Sequence, residues 1–411
     1  MTTNIIDMKK IIATAILLSL SVAAFACTSV IIPGKYTANG KPLMLKVRDQ
    51  SIEKQNTNVQ YFKGAKYDYL GLVGDASRKH SRITGIVGGM NTEGFCTMSL
   101  TSHSFENNPL ADSTVRKPSL QMEALGCCRT VEEFDDYLLN KRGKPVANVS
   151  NLGVIDAHGG AAYYEFNGYD WTKYDVTDPA VAPDGYMVMT NFSWSGDAKG
   201  SGGWDRYFSA DAIMKQFKKN DKGLYDMTVE ELYNAFVRSY HHEVEGVGSL
   251  DDLSNFKYCH DGGMICSNKT CGVITFEGVP VGTSPKYTVM WSHIGYPVTT
   301  VAIPLLVGKG NMVPEYIWKE GEKQARIFAK SYELRDKLIY DNDWSGRFNY
   351  FNVANVKKCI YVMRDVEKYI SDDFYGIFDK WYAGKIKDAE FYGTYSAHLP
   401  QYYQKFLEAV D

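Results

Sequence analysis

The chain, 411 residues long, lacks most of the features that would assign it to a specialised class. Its formal net charge is −3, so it has no basic excess with which to neutralise a nucleic-acid backbone, and no nucleic-acid partner is expected. Proline is sparse at 13 residues, and no repeat, low-complexity tract or Pro/Gly/Ser-rich linker divides the chain. The apolar run from Ile11 to Phe25 falls short of the roughly 20 residues that cross a bilayer, so no permanent membrane span is expected. The eight cysteines do not fall into a zinc pattern: Cys259, Cys266 and Cys271 lie near His260 without the close pairing such sites use. His241-His242 likewise has no third ligand at a recognisable spacing. Neither a metal nor an organic cofactor is expected. The balance of 45% hydrophobic and 23% charged residues is that of an ordinary globular protein.

What is present begins at the N-terminus. Lys9 and Lys10 precede the apolar run, which ends in Ala24-Phe25-Ala26. This reads as a secretory signal peptide cut just before Cys27, giving an exported protein, periplasmic or secreted. A lipid anchor on the same cysteine is the competing fate, and Ala24 and Phe25 fit it poorly. With Cys27 set aside an odd number of cysteines remains, so at least one is free or paired outside the chain. The cluster Cys259, Cys266 and Cys271 is read as a local disulfide or as buried thiols.

Downstream, blocks of strands alternate with blocks of helix. Thr28–Ile32 and Leu43–Val47 flank the turn at Asn39-Gly40 and predict a hairpin. Strand-turn-strand patterns appear over Ile83–Leu100, around Asn91-Thr92-Glu93-Gly94, and over Leu152–Phe166, around His158-Gly159-Gly160. Thr130-Val131-Glu132-Glu133 and Thr228-Val229-Glu230-Glu231 are capping boxes that open helices. Further strands are expected at Met187–Thr190, Thr270–Phe276, Tyr287–Trp291 and Thr300–Leu305. From about Pro314 the pattern is helical, charged and aromatic. The fold class expected is α+β with antiparallel sheets, divided into a signal peptide (1–26), one large domain (27–310) and a helical extension (311–411) packed on that domain.

The hairpin carries the chemistry. Antiparallel pairing returns Lys46, Val47, Arg48 and Asp49 to the side of Cys27. A thiol, its own α-amine once Ala26 is removed, a cation and a carboxylate then share one corner. The amine can accept the thiol proton at physiological pH, and a nearby cation favours the thiolate. The bland alternative is that Cys27 merely comes after a signal peptide and the charges are solvated strand ends.

Cys27-Thr28 with Lys46-Val47-Arg48-Asp49 downstream resembles the start of the choloylglycine hydrolase and acyl-coenzyme A:6-aminopenicillanic acid acyltransferase group of N-terminal-nucleophile hydrolases. Gly89-Met90-Asn91-Thr92-Glu93-Gly94-Phe95 and Met189-Thr190-Asn191 are similar to two more of its motifs. Weaker likenesses are Asp156-Ala157-His158-Gly159-Gly160 with Glu165, Met264-Ile265-Cys266, Met290-Trp291 and Gly295-Tyr296-Pro297. The likeness runs in order from Cys27 to Pro304. It implies a four-layer αββα sandwich and acyl transfer through a Cys27 thioester. Cys27 would be the nucleophile, Asp49 the carboxylate that contacts its amine, and Asn191 the donor to the oxyanion. Arg206 resembles a later arginine of the acyltransferase branch, and Thr101 is a weaker second oxyanion candidate. The group has an arginine three positions before the aspartate; Lys46 stands there in this chain, while Arg48 sits beside Asp49. Arg48 is favoured as the cation that supports the thiolate, because a guanidinium can engage a carboxylate and a thiolate together.

Some residues carry bland readings of equal or greater weight. Asn91 is read first as a turn residue, and His158 as structural. Trp194 and Trp204 either line the substrate pocket or pack on the surface. The substrate expected is a small N-acyl or bile-salt-like amide cut at a linear C–N bond, and self-association into a homo-oligomer is left open. The rival readings are a dipeptidase of the related cysteine branch and an inactive surface lipoprotein that binds aromatic-stacked ligands.

Overall fold

The β-branched run after Cys27 and the apolar run beyond the Asn39-Gly40 turn build the first hairpin. A computed structural model describes residues 27–51, 54–74, 83–105, 119–144, 149–308, 310–341 and 350–411 of the protein; the apolar run and cleavage signal before Cys27 lie outside them. β1 (Thr28–Ile32) and β2 (Leu43–Asp49) are buried along their whole length, which is why they read as near-continuous apolar stretches. Thr28 lies opposite Val47, and Ser29 opposite Lys46.

β3 (Asn58–Phe62), β4 (Tyr69–Val73), β5 (Ile86–Asn91), β6 (Cys96–Thr101), β7 (Val149–Ile155), β8 (Ala161–Asn167) and β9 (Trp171–Asp175) pair in sequence order as a seven-stranded antiparallel meander. β10 (Met187–Met189) then returns to β1, and β11 (Tyr258–His260) pairs apart with β15 (Tyr350–Asn352). β12 (Thr270–Glu277), β13 (Val289–Ile294) and β14 (Ala302–Leu305) complete a six-stranded sheet of order β10-β1-β2-β12-β13-β14. β13 starts later than the sequence suggests, because Pro285–Tyr287 forms a 3₁₀ turn. The helices are α1 (Leu120–Cys127), α2 (Val131–Leu139), α3 (Trp204–Gln216), α4 (Val229–Arg238), α5 (Arg326–Leu334), α6 (Val353–Tyr382) and α7 (Asp388–Val410). Of the two expected capping boxes, Thr228 with Glu231 makes the reciprocal one, whereas at Thr130 only half forms: Thr130 Oγ1 accepts from the Glu133 amide at 3.1 Å, and the Glu133 carboxylate takes the Arg129 amide at 2.9 Å instead.

Alternation along β7 and β8 separates the layers. Leu152, Val154, Tyr164 and Phe166 pack with Leu120, Leu125, Phe134 and Leu138 of α1 and α2, whereas Ile155, Ala161 and Tyr163 join the core between the sheets. α3 contacts β1 and β10, and α4 contacts β2 and β12. The result is a four-layer αββα sandwich. At Gly88 a Cβ would lie 2.3 Å from Ile274 Cδ1 of the facing sheet and 3.0 Å from the Thr97 carbonyl oxygen, so a side chain there would have to displace Ile274.

The C-terminal helices pack on the helix-covered face of the six-stranded sheet, where Phe374 of α6 meets Trp291 of β13 at 5.6 Å. Phe374, Phe378 and Trp381 of α6 and Phe391 and Tyr395 of α7 are buried, with Trp381 stacked on Phe391 at 3.9 Å. A buried ionic network ties them to the sandwich. Glu367 of α6 pairs with Arg238 of α4, meets His293 Nε2 of β13 at 3.0 Å and accepts the Ala302 amide at 2.8 Å. Burial alone would raise the Glu367 carboxyl, but the Arg238 charge and the His293 hydrogen bond outweigh it and hold it down at about 2. A depressed acid contributes stability above its unfolded pKa and loses it as pH falls through the folded one. Wild-type unfolding midpoints in urea should therefore fall as pH drops from about 5 toward 2. Glu367→Gln should cost about 3–5 kcal/mol at neutral pH, by leaving Arg238 buried and unpaired, and should flatten that pH dependence; an unchanged midpoint at pH 7 would contradict the assignment.

Candidate active site

The first hairpin, the turn after β10 and the start of α3 converge on Cys27, which is 5% exposed. Its backbone nitrogen donates to Asn191 Oδ1 at 2.6 Å. Its carbonyl accepts from Arg206 Nη1. The same guanidinium reaches Thr28 Oγ1 at 3.1 Å and, through Nη2, Asn191 Oδ1 at 3.0 Å. Two donors on Oδ1 fix the orientation of the Asn191 amide, since a flipped amide would set NH₂ against both. Its Nδ2 consequently points to the Thr101 carbonyl, at 2.8 Å. Asn191 thus holds the Cys27 nitrogen through its oxygen, and one Nδ2 hydrogen is engaged with Thr101.

Arg206 reaches this corner because α3 begins there. Gly203, at φ +106°, precedes the helix, and a Cβ on it would meet Thr190 Oγ1 at 2.9 Å and Arg206 Nη2 at 3.2 Å. Only glycine fits that backbone and that gap. Burial pushes the Arg206 guanidinium below its ordinary value, and Asp49 and Cys27 oppose the shift.

The strand pairing sends neighbouring residues of β1 and β2 to opposite sides. Ser29 and Lys46, cross-strand partners, face the second sheet: Ser29 Oγ lies 2.8 Å from Tyr163 OH, and Lys46 Nζ donates to the Ser99 carbonyl. Lys46 is 1% exposed. Burial lowers its pKa, and the thiol of Cys27 is the strongest influence acting the other way, which places the ammonium in the electrostatic neighbourhood of the thiol. Arg48 goes elsewhere. Its Nη1 meets Thr57 Oγ1 at 2.5 Å and Cys271 Sγ at 2.7 Å, and its Nη2 meets the Gly74 carbonyl at 2.6 Å. Arg48 is thus engaged by Thr57, Cys271 and the Gly74 carbonyl, and the guanidinium that contacts Cys27 itself is that of Arg206.

Asp49 accepts from Thr270 Oγ1 at 2.7 Å, while the Cys27 nitrogen is taken by Asn191. Burial raises the Asp49 carboxyl to about 7, against the pull of Arg206. Asn91 is remote in function from this corner: its Nδ2 caps the Leu125 and Cys128 carbonyls at 2.8 and 2.7 Å, and its Oδ1 accepts the Glu93 and Phe95 amides. All its hydrogen-bonding capacity serves the turn and the end of α1. Thr101 enters through its carbonyl. Trp194 packs edge-on against Phe192 at 4.9 Å, beside Trp204 and Tyr207, and remains 41% exposed. Every cysteine lies among the described residues and each is a free thiol. Two residues the sequence did not flag as site residues, Asn151 and Glu165, hold the segment that carries Asn191.

This geometry has two measurable outcomes. Alkylation of Cys27 at neutral pH, read by peptide mass spectrometry, should slow severalfold in Lys46→Met and much less in Arg48→Met; the reverse order would contradict the placement. For Asp49, an acid raised on folding contributes stability below its unfolded pKa that is lost as pH rises through about 7. The melting temperature of Asp49→Asn relative to wild type should therefore climb between pH 4 and pH 8, and a constant difference would show that Asp49 titrates normally.

No family model matches the chain, and no curated protein matches it. Among solved structures it is similar to penicillin V acylase from Agrobacterium tumefaciens, at 14% identity and a TM-score of 0.41, over 68% of this chain and 86% of that one. It is also similar to a variant of the conjugated bile acid hydrolase from Clostridium perfringens, at 12% identity and a TM-score of 0.42, over 72% of this chain and 98% of that one. A third similar structure is penicillin G acylase from Alcaligenes faecalis, at 11% identity and a TM-score of 0.30, over 51% of each chain.

Proposed function

We propose that the protein is an exported N-terminal-nucleophile cysteine hydrolase that cleaves a linear C–N amide bond in a small N-acyl or bile-salt-like substrate. The observation that carries this reading is the Cys27 nitrogen, held at 2.6 Å by Asn191 Oδ1 in a buried corner that also contains Arg206, Lys46 and Asp49. A backbone nitrogen at that position becomes an α-amine once Ala26 is removed, and the amine is then fixed beside its own thiol.

The reaction runs by acyl transfer. The α-amine takes the thiol proton, and Cys27 Sγ attacks the amide carbonyl carbon, forming a C–S bond while the carbonyl oxygen becomes an oxyanion. The ammonium returns the proton to the leaving nitrogen, the C–N bond breaks, and the free amine departs to leave a thioester on Cys27. A water molecule, deprotonated by the α-amine, attacks the thioester carbon. The C–S bond breaks, the carboxylic acid leaves, and the thiol is restored. Lys46 is assigned the role of the supporting cation, since positive charge near a thiol assists its attack. Arg206 fixes the Cys27 carbonyl and the Asn191 oxygen, so the amine does not have to be reoriented during the reaction. The second Nδ2 hydrogen of Asn191 supplies a donor at the corner where the oxyanion forms.

A panel of N-acyl amino acids, penicillins, conjugated bile salts and dipeptides, with products identified by mass, tests the reading. Cys27→Ser should fold normally and lose turnover, because a hydroxyl of far higher pKa is poorly activated by an amine. Turnover retained in Cys27→Ala would place the chemistry elsewhere, and turnover confined to dipeptides would move the substrate class.

A further inference from the structure

Asn151 and Glu165 are direct cross-strand partners on β7 and β8. Both are buried, at 0% and 1% exposure, and both sit on the strand face that looks toward the first sheet, the same face as Tyr163, whose hydroxyl meets Ser29. A carboxylate and an amide at core positions of an otherwise apolar strand face are costly unless every polar atom is matched. Here they are matched, and all the partners but Tyr174 of β9 come from one segment. Asn151 Nδ2 donates to the Thr190 carbonyl at 3.1 Å and to the Phe192 carbonyl at 2.7 Å, bracketing Asn191, and its Oδ1 accepts from Ser193 Oγ at 2.5 Å. Glu165 accepts the Trp194 and Ser195 amides at 2.6 and 2.8 Å, Ser195 Oγ at 2.5 Å and Tyr174 OH at 3.1 Å. The far side of the segment is held by the residues just past β6, where the His103 amide donates to the Asn191 carbonyl at 2.9 Å and Ser102 Oγ lies 2.7 Å from Ser193 Oγ.

We propose that Asn151, supported by its strand partner Glu165, is a positioning residue for the nucleophile: it clamps the peptide units on both sides of Asn191 so that Oδ1 stays on the Cys27 nitrogen. This rests on the reading of Cys27 as an N-terminal nucleophile. The turn at 190–195 has no regular pairing of its own beyond β10, so without the clamp the Asn191 backbone gains freedom and its side-chain oxygen no longer has one position. Asn151 acts through Asn191 alone, since its side chain bonds only the two flanking carbonyls and Ser193.

That dependence supplies the test. In the mature protein, the rate of Cys27 alkylation by iodoacetamide is measured from pH 5 to pH 9 for wild type, Asn151→Ala, Asn191→Ala and the double variant, with melting temperatures to confirm folding. Asn151→Ala should slow alkylation at neutral pH about tenfold and displace the pH–rate profile, and should add nothing in the Asn191→Ala background. Additive losses in the double variant would overturn the proposal, as would wild-type alkylation in either single variant. If Asn151→Ala does not fold, Ser193→Ala removes one arm of the clamp and should show the same non-additivity with a smaller effect. Alkylation needs no substrate, so a protein that hydrolyses no amide at all would refute the proposed function without touching this result.

Discussion

The structure around Cys27 depends on one shared acceptor, the side-chain oxygen of Asn191. It takes the Cys27 nitrogen and the Arg206 guanidinium together, and all three residues are buried. A buried guanidinium is tolerable only where its donors find acceptors, and Arg206 finds three, in the Cys27 carbonyl, the Thr28 hydroxyl and this oxygen. Moving any of the three strands the others. The corner is consequently held by charge burial as much as by packing.

The two sheets are held together by polar contacts that cross the core, in addition to apolar packing. Lys46 reaches the Ser99 carbonyl, Arg48 reaches Thr57 and the Gly74 carbonyl, Ser29 meets Tyr163, and Asn151 with Glu165 grips the turn after β10. Each contact has one end on the hairpin that carries Cys27 or on the segment that carries Asn191. Buried charge also occurs away from this corner, in the Glu367, Arg238 and His293 network that ties α6 to the sandwich.

Much of this was legible in the sequence where the cause is local. The hairpin, the N-caps at Thr130 and Thr228 and the strand blocks arise from turn residues, caps and β-branched runs, and the ordered motifs brought Cys27, Asp49, Asn191 and Arg206 forward together. The choice between Lys46 and Arg48 was not legible, because residues two apart on a strand share a face and only the facing sheet decides which contacts each finds. Asn191 was expected to present its amide hydrogens to an oxyanion; of the two donors on its oxygen, Cys27 itself and Arg206, the second comes from α3, whose start at Gly203 depends on a tertiary contact that no local pattern encodes. Asn151 and Glu165 did leave a signal, polar residues at inward positions of buried strands. It could be read only once the alternation of β7 and β8 was fixed by packing.

The central claim is that Cys27 stands at the free end of the mature chain and carries the acyl group. Intact-mass and peptide analysis of the protein, quenched within its first turnover on a hydrolysed amide, tests it directly. The account predicts a chain beginning at Cys27 that gains the mass of the acyl group, lost on hydroxylamine treatment and located on the first peptide. An active chain that retains residues before Cys27, or an acyl group on another residue, would contradict it.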